Sequence, residues 1–232
     1  MFWRNPTAAF FNFLLPLVFL GLFGSIFAGD RENLEIIVPG IAGMSVMATT
    51  FSALAFNMTF LREQGVLKRI RGTPLPVGSY LGGLVASAVT NATIQIAFVT
   101  IAGAAVFGVG WPADWPALLL FAALGVACFA TLGIALSHAI PSFDAAAAYV
   151  NAIFLPAIAI SGVFYDVADA PALLKDVAEV LPLKHVIDGL SGAMVTGAGV
   201  GSNVTAVAVI GVWALAGLAL AVRGWSWEQR RD

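Results

Sequence analysis

The sequence predicts an all-α membrane protein: six transmembrane helices, a short cytoplasmic helix between spans two and three, and short outer re-entrant helices between spans five and six. Three observations lead there. Charged residues are only 10% of the 232-residue chain and hydrophobic ones 60%, with a mean hydropathy of +0.93. A soluble domain carries about 25% charged residues, and one of this length could not hide so much apolar surface. Six runs reach the roughly 20 apolar residues that a helix needs to cross a hydrocarbon layer of about 30 Å. Lastly, Lys and Arg segregate to one side of a six-span path.

The runs cover residues 8–27, 36–61, 79–109, 116–139, 145–164 and 204–222. They must be helical, because lipid offers nothing to an open backbone, and the alternating runs of about ten residues that mark a membrane barrel are absent. The first run follows Arg4, as a signal peptide would. However, it is long, and Ile26-Phe27-Ala28 is a poor cleavage site, so it reads as a retained helix. With the N-terminus inside, Arg4, Arg62, Lys68, Arg69, Arg71, Arg223, Arg230 and Arg231 are cytoplasmic, and only Arg31, Lys175 and Lys184 are outside. Trp3, Trp111, Trp115, Trp225 and Trp227 fall at span ends, where amphipathic rings prefer the interface. Asp144, with Ser142, caps the cytoplasmic start of the fifth helix. The whole chain, 1–232, reads as one membrane domain.

Several chemistries are excluded or disfavoured. No Gly-x-x-x-x-Gly-Lys-Ser/Thr occurs, so the chain has no P-loop for ATP. His138 and His185 are far apart, and the single Cys128 lies in an apolar run as a small core residue, so no metal site is indicated. No charge sits at mid-span to mark a proton or ion path. The net charge of −2 gives no argument for nucleic-acid binding.

Two connecting segments remain. In the inner loop 62–76, Val66, Leu67 and Ile70 would form an apolar face on a short helix over 64–71, with Lys68, Arg69 and Arg71 around it and Gly72 and Pro74 ending it. Such a helix can anchor to the membrane surface through its cations or dock into a groove of a cytosolic partner. The residues alone leave both open. The stretch 165–201 is too apolar for a plain outer loop. It reads as a short helix over 171–181, a restart at Pro182 with an apolar segment 183–194, and a Gly-rich end at 197–201. Each piece is too short to span, which makes them re-entrant or interfacial.

Arg62-Glu63-Gln64-Gly65-Val66-Leu67-Lys68-Arg69-Ile70-Arg71-Gly72-Thr73-Pro74-Leu75 resembles the cytoplasmic loop of ABC (ATP-binding-cassette) type-2 exporter permeases, whose pattern is Arg-Glu-x-Gly-x-Leu-x-Arg-x-Arg-x-Thr-Pro. Ser161-Gly162-Val163-Phe164-Tyr165 is similar to that family's exit from the fifth span. Leu181-Pro182-Leu183-Lys184-His185-Val186-Ile187-Asp188 is similar to its outer re-entrant segment, and Arg4-Asn5-Pro6 to its entry into span one. The resemblance implies a bacterial inner-membrane permease that pairs with a second permease chain, identical or not. It also implies a separate cytosolic ATPase subunit for each chain, with ATP and magnesium bound there and no cofactor bound here.

The helix 64–71 would then be the coupling helix. Arg62 and Glu63 would make polar contacts at the rim, Leu67 and Ile70 the apolar seat, and Gln64, Lys68 and Arg71 the remaining contact surface. Leu181, Pro182, His185 and Asp188 would form an outer gate. In that family an amphipathic interfacial helix usually precedes the first span, and here only a few residues stand ahead of it.

Polar residues within the spans carry two readings. Ser87, Asn91 and Gln95 lie at i, i+4 and i+8 on span three, Thr50 and Asn57 on span two, and Asn151 on span five. They either hydrogen-bond between helices or form a polar wall of a substrate path. The resemblance also implies outward transport of an amphipathic drug-like or lipid-like substrate and places spans one and five at the dimer interface. The rival is a stand-alone secondary transporter or membrane scaffold without an ATPase. A transporter of that kind would be expected to show broken spans or mid-depth charges.

Overall fold

The computed structural model describes residues 6–72 and 77–224, with no side chain described at 6–13, 71, 77, 78, 80 and 81. The expectations for Trp3, Arg4, Trp225, Trp227, Arg230, Arg231, the Arg71 side chain and the loop end Thr73–Pro76 lie outside the described residues. Everything described is helix or connection, without a strand. The helices are α1 (Pro6–Ile26), α2 (Arg31–Met47), α3 (Ala53–Glu63), α4 (Val66–Arg71), α5 (Val77–Phe107), α6 (Trp115–Ser137), α7 (Phe143–Ile160), α8 (Ala172–Ala178), α9 (Pro182–Ser191) and α10 (Val204–Arg223).

Five stretches among the described residues are long and apolar enough to cross a membrane: Arg31–Glu63, Gly82–Phe107, Trp115–Ser137, Phe143–Ile160 and Val200–Arg223. These match the second to sixth expected spans. The sixth candidate by count, α1, has 21 helical residues, and its described apolar part is Leu14–Ile26. The second span is not one uninterrupted α-helix as expected. A π turn, Ala48–Ser52, joins α2 to α3, which widens one turn and rotates the helix faces on either side.

This span is also the centre of the bundle. About 78% of its apolar window is buried, against 17% for α7. Small residues let neighbours approach it closely, as lipid-embedded helices require. A Cβ at Gly40 would collide with the carbonyl of Val163, and one at Gly43 would lie 2.6 Å from Ile187. On α6, Gly133 faces the backbone of Phe51, and Gly125 faces Val186 and Val46. Cys128 is fully buried in this core, as a small apolar residue would be.

The helix ends are capped in sequence-readable ways. Asp30 accepts from the Asn33 N–H at the start of α2, Asp114 from Ala117 N–H at the start of α6, and Ser142 from Ala145 N–H at the start of α7. Each satisfies one of the N–H groups that a helix start leaves open. Asp144 stands in the first turn of α7, with Ser142 as the capping residue.

Candidate functional site

At one end of the bundle, α3 runs into α4 through a tight elbow. Gly65 makes this turn with φ +65°, a left-handed conformation that is easy only for glycine. The helix expected over 64–71 therefore starts at Val66, and Gln64 closes α3 instead. Leu67 departs from its expected role as part of an outward apolar seat. It is 0% exposed and packs with Leu54, Met58 and Leu61 of its own chain. Ile70 is half-buried against the same cluster. The amphipathic pattern of α4 is real, but its apolar face closes onto the bundle. Lys68 and Arg69 are exposed on the other side.

Arg62 and Glu63, expected to make polar contacts at the rim, each make a polar contact within the chain. Arg62 is 7% exposed. Its Nη1 donates to the Ser137 carbonyl at 2.6 Å and its Nη2 to Ser137 Oγ at 3.3 Å. Ser137 ends α6, where carbonyls lack intrahelical donors and a cation is favoured by the helix dipole. Glu63, which is exposed, accepts from the Phe143 N–H at 2.6 Å. Phe143 opens α7, where N–H groups are open and an anion is favoured. Adjacent residues of opposite charge thus serve two helix ends of opposite polarity.

At the other end lies the segment 165–201. The exit from α7 turns through Gly162 and crosses α2 at Gly40. A short 3₁₀ turn, Val167–Asp169, then α8, lead to α9. The two short helices expected here are present, at slightly tighter bounds. Ten residues make α9 about 15 Å long, half of a hydrocarbon layer. It inserts among α2, α6 and α10 and, after a π turn (Gly192–Thr196), reverses at Gly197 with φ +67°. Gly189 is required by the approach of the Phe121 ring of α6.

The four residues expected to gate this end have distinct places. Pro182 starts α9 and is buried, Leu181 is half-buried, and Asp188 is half-buried on the polar side. His185 is 3% exposed, its Nε2 lying 2.8 Å from the Glu179 carbonyl. Lys184 is held by Asp188 at 2.6 Å and Glu179 at 3.0 Å. Burial pushes the Lys184 pKa down, but the hydrogen bonds and charges of Asp188 and Glu179 outweigh it and raise the ammonium above its usual value. These groups, with Ser161, Asp166 and Lys175, line a polar pocket of about 320 Å³.

The six intramembrane polar residues do not converge on one wall. Thr50 is fully buried, and its hydroxyl donates to the Val46 carbonyl at 2.5 Å. Asn57 is half-buried, while Ser87 and Asn151 are exposed on α5 and α7. Asn91 and Gln95 are buried at 5% and 1%, on a helix that packs against α2 and the π turn. The stripe expected along the third span therefore divides, Ser87 facing outward and the other two inward. A different feature escaped the sequence reading. An apolar groove of about 590 Å³ lies over α6 between α7 and α10, lined by Phe51, Phe129, Leu132, Ile153, Trp213 and Leu220 among others. In a chain where every helix is apolar, no periodicity could have singled out those positions.

Comparison with known proteins gives a consistent picture. A family model described as ABC-2 type transporter matches residues 1–195. Nodulation protein J of Rhizobium meliloti is 26% identical over 184 residues, covering 76% of this chain and 70% of that protein. The putative transport permease ycf38 of Porphyra purpurea is 27% identical over 204 residues, covering 81% and 68%. The probable multidrug ABC transporter permease YbhS of Escherichia coli is 29% identical over 125 residues, which is 53% of this chain and 32% of that one.

Proposed function

The chain belongs to the ABC-2 type transporter family, and from that premise we propose that it is the membrane subunit of an ATP-driven exporter. Membrane subunits of this family are not themselves ATPases and work with a cytosolic ATPase. Here the chain crosses a bacterial inner membrane six times, α1 being the first span and α2–α3 the second, with both ends in the cytoplasm. The Lys and Arg distribution supports that orientation. Two permease chains assemble with two ATPase subunits, which bind ATP and magnesium. The cargo is amphipathic, drug-like or lipid-like. The apolar groove over α6 supports such a substrate, as does the description of one relative as a probable multidrug permease. Coverage of α7 by a second chain would also shield Asn151, Tyr149 and Ile153, which are exposed on that helix.

The observation that carries this reading is the posture of α4. Leu67 fixes the helix to the bundle while Lys68 and Arg69 face outward, so a push on its exposed face moves the end of α3. The test is co-purification from detergent-solubilised membranes, comparing the native chain with a Lys68→Glu, Arg69→Glu variant. The native chain is expected to bring down an ATPase with ATP turnover, and the variant to lose most of both. If the native, folded chain brings down no ATPase, a stand-alone transporter or scaffold is the better reading.

A further inference from the structure

The contacts of Arg62 and Glu63 reach residues 75 and 80 positions away in sequence. We propose that this pair is a latch between the α3–α4 elbow and the α6–α7 turn, so that α7 moves with α4. The inference rests on the exporter reading, because it supposes that an ATPase moves α4.

The geometry gives the latch a direction. Packing alone links α4 to α5, α6 and α10 through the Leu67 cluster, and α3 to α7; the pair adds a directional bond from the elbow to each side of the α6–α7 turn. α7 is the most loosely held of the five candidate spans, with 17% of its apolar window buried. Its main neighbour is α3, and at its start the link to α3 is the Glu63 carboxylate on the Phe143 N–H, beside the Phe143 ring packed edge-on against Phe56 and Phe60. α6 is held quite differently, with 61% of its apolar window buried and α10 packed on it. Arg62 therefore anchors the elbow to a fixed post, the Ser137 carbonyl, and Glu63 grips a movable rod. A small rotation of the elbow about the Arg62 anchor swings Glu63, and the first turn of α7 follows. Both residues act as positioning residues, through α6 and α7, rather than by touching cargo.

The bond from Phe143 N–H can be removed without altering Glu63. Phe143 is the first residue inside α7, where proline is well tolerated. Phe143→Pro deletes the N–H and the ring, and Phe143→Ala deletes only the ring. The readout is amide hydrogen exchange of the assembled permease–ATPase complex, nucleotide-free and trapped with ATP and vanadate, followed over 66–71 and over 144–148.

In the native complex and in Phe143→Ala, trapping is expected to change exchange in both segments. In Phe143→Pro the change over 66–71 should persist and the change over 144–148 should be lost. Glu63→Met, which removes both carboxylate oxygens at similar length, should give the same loss, and it replaces Phe143→Pro if that variant does not fold. A merely structural role would alter exchange over 144–148 equally with and without nucleotide, which would overturn the proposal. So would a nucleotide response in α7 that survives in Phe143→Pro or Glu63→Met. Failure of the underlying exporter reading looks different: no ATPase co-purifies, or 66–71 does not respond in the native complex, and the latch falls with it.

Discussion

The two ends of the bundle both use charged side chains to hold short helices, yet they do so in opposite ways. At the α9 end the charged contacts are local, beside one remote bond from Trp213 Nε1 to the Val180 carbonyl. Lys184 bridges Glu179 and Asp188, and His185 meets the Glu179 carbonyl, all within six residues. The unit fastens itself, and glycines at Gly40, Gly43, Gly125 and Gly189 then seat it against α2 and α6. At the α4 end the contacts are remote: Arg62 and Glu63 join parts of the chain that are otherwise far apart in sequence. Locally fastened helices behave as a preassembled plug, whereas remotely fastened ones tie separate spans together. The α9 end thus depends chiefly on shape, and the α4 end on a few directional bonds.

That contrast can be broken from either side. The largest effect is expected from Gly40→Leu, whose side chain has no room beside the Val163 carbonyl. The loss of stability should be about 3 kcal/mol, read as a lower thermal midpoint of the detergent-solubilised protein. Arg62→Met comes next. It leaves the Ser137 carbonyl without its charged donor and should cost about 2 kcal/mol, measured as a shift in the denaturant midpoint. Lys184→Met should matter least. Its partners Glu179 and Asp188 are 58% and 41% exposed, so after solvent screening the pair is worth about 0.5 kcal/mol. If Lys184→Met proves costlier than Arg62→Met in the same assay, the division into a shape-held end and a bond-held end is wrong.

Most of the architecture could be read from the sequence, because length, apolarity and terminal charges are physical requirements of a bilayer. The spans, the Ser142 cap and the pair of short outer helices broken at Pro182 follow directly. What could not be read is which apolar surface meets which. The face of α4 formed by Leu67 and Ile70 is plain in the residue spacing, but spacing does not say whether it meets the bundle or a partner. The targets of Arg62 and Glu63 were invisible for a related reason, since backbone groups at helix ends carry no residue signature. One signal went unused. Gly40 with Gly43, and Gly125 with Gly133, mark helix faces that neighbours approach closely, and small residues are the usual sign of such faces in membranes.

The π turn at Ala48–Ser52 divides its span in two. Above it, α2 is pinned by the wedge of α9; below it, α3 carries the elbow. A span interrupted in this way is two segments joined through one widened turn, placed where the Gly133 face of α6 comes against the Phe51 backbone like a pivot. On the exporter reading, the same span would be the frame at its α9 end and the drive arm at its α4 end.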